Sequence, residues 1–112
     1  MLKINKFQKE AFYTARVDRF SNEAYCFINE NFNLDGVFIS NIDLNQFIKS
    51  NIYFANFCKI KSKAYTMKLI ILLYYIMIEY GINEADKVKC SISSCKMSKR
   101  KLIDATISQY LD

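Results

Sequence analysis

The feature that most constrains the fold of this chain is a ten-residue apolar run, LIILLYYIMI, at residues 69–78. A membrane-spanning helix needs roughly 20 apolar residues, so the run is too short for that role. Lys68 and Glu79 border it directly. Because apolar side chains occupy most of the circumference of such a helix, the pattern predicts a buried helix over residues 63–80 at the centre of the fold.

The spacing of apolar residues predicts four more helices, over residues 7–31, 41–55, 84–94 and 98–111. Ser21 and Asn22 leave open whether the first is one helix or two. Residues 33–36 (NLDG) predict a turn, residues 37–39 an extended segment and residues 57–62 a connector. The composition, with two glycines, no proline and 52% hydrophobic residues, favours one folded domain. We therefore predict an all-α fold, a compact bundle of about five helices.

The predicted single domain, residues 1–112, has two parts. Residues 1–60 form the N-terminal helices and are a candidate dimer surface, and residues 63–112 form a core of three helices. Gly81 suits the position just past the central helix, with Ile82 folding back onto it as in a Schellman motif. Asn83, three residues before Asp86, predicts the next N-cap. Ser98 predicts the N-cap of the last helix.

The chain contains no histidine, which weakens most enzyme and metal-site interpretations. Histidine is the side chain most used for proton transfer near neutral pH, and the commonest metal ligand. The cysteines have no C-x-x-C spacing and no imidazole to activate them. We therefore predict no enzymatic activity, no catalytic residue, no metal site and no cofactor. We interpret the four cysteines as small buried hydrophobic residues: Cys26, Cys58, Cys90 and Cys95.

Positive charge is concentrated in the second half of the chain. The net charge is +5, and residues 57–112 account for all of it, with ten basic and five acidic side chains. A clustered positive field attracts polyanions, although a solvated surface that keeps a hydrophobic protein in solution shows the same pattern. The tightest cluster contains no acidic residue and consists of Lys87, Lys89, Lys96, Lys99, Arg100 and Lys101.

The N-terminal sequence MLKINKFQKEAFY has no continuous apolar stretch followed by small residues. It is therefore unlike a secretory signal. Together with the shortness of the apolar run, this predicts a cytoplasmic protein with no membrane partner.

Residues 63–112 combine a buried helix, a glycine-ended turn, a short helix, the turn CKMS and a basic last helix. In this order, and in the string SISSCKMSKRKLIDATISQYL, the segment resembles the helix-turn-helix domain of AraC-type and winged-helix DNA-binding regulators. The resemblance implies a recognition helix that enters the major groove by its N-terminal residues. With the rest of the basic cluster, the predicted DNA-binding residues are Lys87, Lys89, Lys96, Ser98, Lys99, Arg100 and Lys101.

Two positions depart from the helix-turn-helix pattern. Lys96 stands where the turn usually has a glycine, and Ile92 stands where the preceding helix usually has a small residue. The resemblance also implies four apolar residues that hold the two helices together, namely Val88, Ile92, Met97 and Leu102.

Two functions of different classes remain open. The first is a small transcriptional regulator that binds duplex DNA as a homodimer, since helix-turn-helix proteins read paired half-sites. The second is a helical protein-interaction module, such as an immunity protein, an anti-defence inhibitor or a chaperone, that caps a partner protein through exposed aromatic residues. Lys, Asn, Ile, Tyr and Phe, whose codons are A/T-rich, make up 55 of 112 residues, which is typical of phages, plasmids and other mobile elements.

Overall fold

The computed structural model describes residues 6–31, 41–96 and 98–111, with side chains described from residue 13 to 30, from 44 to 96 and from 98 to 111. Over these residues the fold is all-α, as predicted, without a strand. The predicted turn at residues 33–36, the extended segment at 37–39 and Met97 lie outside the described residues. The helices are α1 (Lys6–Asn31), α2 (Asn41–Phe57), α3 (Lys63–Tyr80), α4 (Ile82–Ser94) and α5 (Lys99–Leu111).

Contacts within the chain divide it into two units, Met1–Lys49 and Ser50–Asp112, with the division inside α2. In the first unit, α1 continues unbroken through Ser21, so the single-helix alternative is correct. An ion pair joins α2 to α1 in this unit, with Lys49 Nζ 3.1 Å from Asp18 Oδ1. The buried residues of α1 are spaced by four, three and four positions and so form one stripe: Val17, Ser21, Ala24 and Ile28.

In the second unit, α3 packs against both α4 and α5, which also contact each other. Three consecutive residues of α3, Leu72, Leu73 and Tyr74, are buried. Since consecutive residues point in different directions around a helix, α3 is covered on several sides, as its apolar composition predicts. Even this helix does not have the length and apolarity that crossing a bilayer requires, and neither do the other helices described.

The junction between α3 and α4 corrects two predictions. Gly81 alone separates the helices, with φ 98° and ψ 166°, and its N–H donates to the carbonyl oxygen of Met77 at 3.1 Å. This extended ψ is not the left-handed geometry of a Schellman motif, so that prediction is wrong. Ile82 does not fold back onto α3, because it is 54% exposed and begins α4. The N-cap of α4 is therefore Gly81 and not Asn83.

Candidate functional site

A concave pocket of about 430 Å³ lies in the second unit, where the α2–α3 connector meets the α4–α5 turn. Its charged lining residues are all cations: Lys59 and Lys61 from the connector, and Lys96, Lys99 and Arg100 from the turn and the start of α5. Among the described residues, no carboxylate lines it. We call this the basic pocket. The remaining lining residues are Cys58, Ile60, Cys95 and Ser98.

The connector side of the basic pocket is shaped by a Schellman motif at the end of α2. The Ile60 N–H donates to the Ala55 carbonyl at 2.9 Å, and the Lys59 N–H donates to the Asn56 carbonyl at 3.0 Å. These are the two hydrogen bonds that define the motif. Lys59 has φ 62° and so occupies the left-handed position that glycine usually fills. Ile60 is buried, and an apolar residue at this position frequently accompanies the motif.

The connector ends at Ser62, which caps α3. The Ser62 Oγ accepts a hydrogen bond from the Tyr65 N–H at 3.3 Å, and the Ser62 carbonyl accepts one from Thr66 Oγ1 at 2.9 Å. The predicted connector at residues 57–62 is confirmed in its essentials, since α2 ends at Phe57 and α3 begins at Lys63. Together with the Schellman motif, these hydrogen bonds fix the backbone at both ends of the connector that carries Lys59 and Lys61.

The opposite side of the basic pocket is the turn between α4 and α5. Cys95 ends α4 in an extended conformation, with φ −67° and ψ 126°. Ser98 Oγ accepts from the Lys101 N–H at 3.4 Å, which agrees with the predicted N-cap. The ammonium group of Lys99 donates to the Cys95 carbonyl at 3.1 Å. This bond crosses the turn and holds the Lys99 side chain at the pocket.

Arg100 is supported by an aromatic ring of α3. Its guanidinium carbon lies 5.1 Å from the centre of the Tyr65 ring, and Lys68 Nζ lies 4.6 Å from the same centre. The Tyr65 hydroxyl donates to Asp104 Oδ2 at 2.8 Å, and this hydrogen bond raises the pKa of Tyr65. The helical spacing of Asp104 from Arg100 and Lys101 predicts an ion pair with one of them. That prediction is wrong, because Asp104 pairs with Lys68 at 3.6 Å.

The predicted DNA-binding residues do not all meet at one place. Four of them, Lys96, Ser98, Lys99 and Arg100, line the basic pocket. Lys101 is exposed on the first turn of α5 but does not line the pocket.

Lys87 and Lys89, on α4, are engaged with other side chains. Lys87 Nζ is 3.9 Å from Glu84 Oε2, and Lys89 Nζ lies 4.9 Å from the centre of the Phe54 ring. Of the apolar residues implied to hold the helices together, Val88 and Ile92 are buried. Leu102 is half-buried.

Sequence reasoning missed Lys59 and Lys61. They are separated from Lys96 by more than 30 positions, and no local spacing rule connects the two segments. Their only signal was that they belong to the basic second half of the chain. The fold places them beside the turn residues in one pocket.

The cysteines differ in burial, which corrects the prediction that all four are buried. Cys58 is buried, Cys95 is half-buried, and Cys26 and Cys90 are exposed, all as free thiols. Burial raises the pKa of Cys58, while the charges of Lys99 and Lys89 lower it by a smaller amount. Among the described residues, no group of three cysteine or carboxylate side chains could hold a metal ion.

Comparisons with protein-family models, curated proteins and solved structures found no match to this chain. The resemblance to helix-turn-helix regulators therefore stays a prediction.

Proposed function

We propose that this protein binds duplex DNA through the α4–α5 turn and the first turn of α5, as a small transcriptional regulator. The supporting observation is that Lys96, Lys99 and Arg100 converge on one concave surface that has no lining carboxylate among the described residues. Lys101 extends the positive charge along the first turn of α5. Duplex DNA carries a regular row of negative charges, which such a surface attracts.

The side chains divide into two roles in this proposal. Lys99 and Lys101 neutralise phosphates, and these contacts bring affinity without sequence preference. Arg100 presents a planar guanidinium, which forms paired hydrogen bonds to a phosphate or to a guanine edge. Tyr65 supports this guanidinium from the side of α3.

The test is fluorescence anisotropy with a labelled duplex at low and moderate salt. Arg100→Ala is expected to weaken binding about tenfold, the size of one lost charge-assisted hydrogen bond. The matched control is Arg19→Ala, which removes an exposed arginine of α1. Binding should also fall steeply as salt rises. A wild-type protein that shows no duplex binding at low salt would disprove the proposal.

A homodimer would place two copies of this surface on paired half-sites. Analytical ultracentrifugation with and without duplex DNA measures the number of copies. A DNA complex that contains only one copy of the protein would contradict the homodimer. It would not contradict the proposed DNA-binding surface.

A second candidate, a protein-interaction module, is favoured by an aromatic pair at the surface, in which Tyr80 is exposed and Tyr110 is half-buried. The Tyr80 and Tyr110 rings pack edge to face with centres 5.3 Å apart, and Tyr80 is 57% exposed. The Tyr110 hydroxyl donates to Glu84 Oε1 at 2.7 Å, which holds the pair in place. An exposed tyrosine that a neighbouring ring holds in place is typical of interface hot spots. A stoichiometric protein complex that Tyr80→Ser disrupts and Arg100→Ala leaves intact would support this candidate.

A further inference from the structure

We propose that the basic pocket is a phosphate-binding site, in which the connector lysines Lys59 and Lys61 bind the sugar–phosphate backbone of the same DNA that contacts α5. This inference rests on the proposed DNA binding. It adds a second segment of the chain to the interface, from outside the helix-turn-helix-like region.

The charged residues that line the basic pocket all carry the same sign. Five cationic residues from two separate segments line the pocket of about 430 Å³, and no carboxylate of the described residues lines it. Like charges brought together repel one another, and an anion between them removes this repulsion. Lys99 already donates to the Cys95 carbonyl, yet a carbonyl oxygen carries no net charge to neutralise the ammonium group. The pocket therefore has a positive charge that a bound phosphate would partly neutralise.

The backbone at Lys59 adopts a conformation that is uncommon for a lysine. A residue with a side chain pays a conformational cost in the left-handed region, where glycine does not. The chain has a lysine there, with φ 62°, at one wall of the basic pocket. A strained residue at the wall of a charged pocket is the arrangement expected when its side chain serves a ligand.

The extent of the positive charge indicates the type of phosphate ligand. The cations do not stop at the pocket, because Lys101 continues them along the first turn of α5. One isolated phosphate would occupy the pocket and leave Lys101 without a contact, whereas a nucleic-acid strand repeats its phosphates at short intervals. Arg100 offers the planar fork that binds a phosphate through two hydrogen bonds. These observations favour a DNA backbone over a single lipid headgroup.

The experiment uses a matched pair of exposed lysines two positions apart. Lys61 lines the basic pocket and Lys63 does not. Duplex affinity is measured by anisotropy at several salt concentrations for the wild-type protein, Lys61→Gln and Lys63→Gln. Lys61→Gln should weaken binding severalfold on every duplex sequence and reduce the salt slope by about 0.9, the value for one lost phosphate contact. Lys63→Gln should leave the slope unchanged.

Lys59→Gly provides an independent readout. The substitution removes the charge, so it should weaken DNA binding. It also removes the conformational cost of the left-handed backbone, so it should raise the thermal midpoint of unfolding. A variant that simply misfolds cannot give this combination. The weaker binding would then come from the missing side chain and not from a damaged fold.

The variants distinguish a failure of the connector site from a failure of the proposed DNA binding. If Lys59→Gly and Lys61→Gln bind duplex DNA as the wild type does while Arg100→Ala weakens binding, the connector site is overturned and the proposed function stands. If the wild type binds no duplex at low salt, the proposed function itself fails. Binding to vesicles of phosphatidylcholine and phosphatidylserine without binding to DNA would overturn both and assign the pocket to a lipid surface.

Discussion

The guanidinium carbon of Arg100 lies 5.1 Å from the centre of the Tyr65 ring, so a residue of α3 supports a cation of α5. We predict that Tyr65→Leu weakens duplex binding by roughly two- to fivefold, the value of an exposed cation–π contact. Tyr65→Phe keeps the ring and should bind like the wild type. Anisotropy measures both variants, and thermal unfolding checks that they are folded. Equal binding by the two variants would show that the ring does not support Arg100.

Lys59 is expected to reduce the stability of the protein. A left-handed conformation costs a residue with a side chain roughly 1–2 kcal/mol, and the greater freedom of glycine in the unfolded chain offsets about half of any gain. Lys59→Gly should therefore raise the free energy of unfolding by about 0.5–1 kcal/mol in urea titrations. Lys59→Ala removes the charge but keeps the strained backbone. If Lys59→Ala stabilises the protein equally, charge repulsion is the cause and not the backbone.

Gly81 should respond in the opposite direction. Its φ of 98° with ψ of 166° belongs to a region that only glycine adopts readily. A Cβ there would meet no atom within 4 Å, so the cost of Gly81→Ala is purely conformational. We expect a loss of about 1–3 kcal/mol in the free energy of unfolding. Ser108→Ala, at an exposed position of α5, serves as the control and should change stability by less than about 0.5 kcal/mol.

Tyr74 should make the fold sensitive to alkaline pH. Burial raises the pKa of Tyr74 from 10.0 to about 12, so the folded state retains a proton that the unfolded state loses. This contribution is complete below pH 10, and it falls by about 1.4 kcal/mol per pH unit until the folded pKa is reached. Urea titrations between these pH values measure the decline. Tyr74→Phe should flatten it, and an equally steep decline in that variant would assign it to other groups.

The cysteines should react with thiol reagents at different rates. Cys58 is buried and its pKa is raised, so little of it is thiolate at about pH 8. We expect Cys58 to react at least about tenfold more slowly with Ellman's reagent than the exposed Cys26 and Cys90. Denaturant should remove the difference. The variant Cys58→Ser identifies the slow phase, and survival of that phase in the variant would contradict the assignment.

The helices were predictable from the sequence because their signals are local. α3 was the clearest, since apolar side chains occupy most of its circumference and Gly81 follows its last residue, and the structure begins and ends this helix at the predicted residues. Ser98 was recognisable as an N-cap because serine favours that position and because it directly precedes the basic first turn of α5. In each case the deciding atoms lie within a few positions of one another, where spacing rules apply.

The details that failed depend on tertiary structure or on an unusual residue. The Schellman motif was expected at a glycine, whereas the structure forms it at Lys59, a residue type that gives no such signal. Asp104 was assigned a partner one turn away, but the packing of α5 on α3 brings Lys68 to it. The basic pocket was half predictable, because the turn residues stood out as a cluster and the connector lysines did not.

The single residue between α3 and α4 has a consequence for how quickly the second unit forms. Two helices joined so closely meet without the entropy loss of closing a long loop. α5 follows α4 after a turn of only four residues, so the neighbours of α3 come from nearby sequence. Contacts of such short range are typical of helical proteins that fold within microseconds to milliseconds. We expect these three helices to form their mutual contacts on this timescale once residues 63–111 are all free to fold.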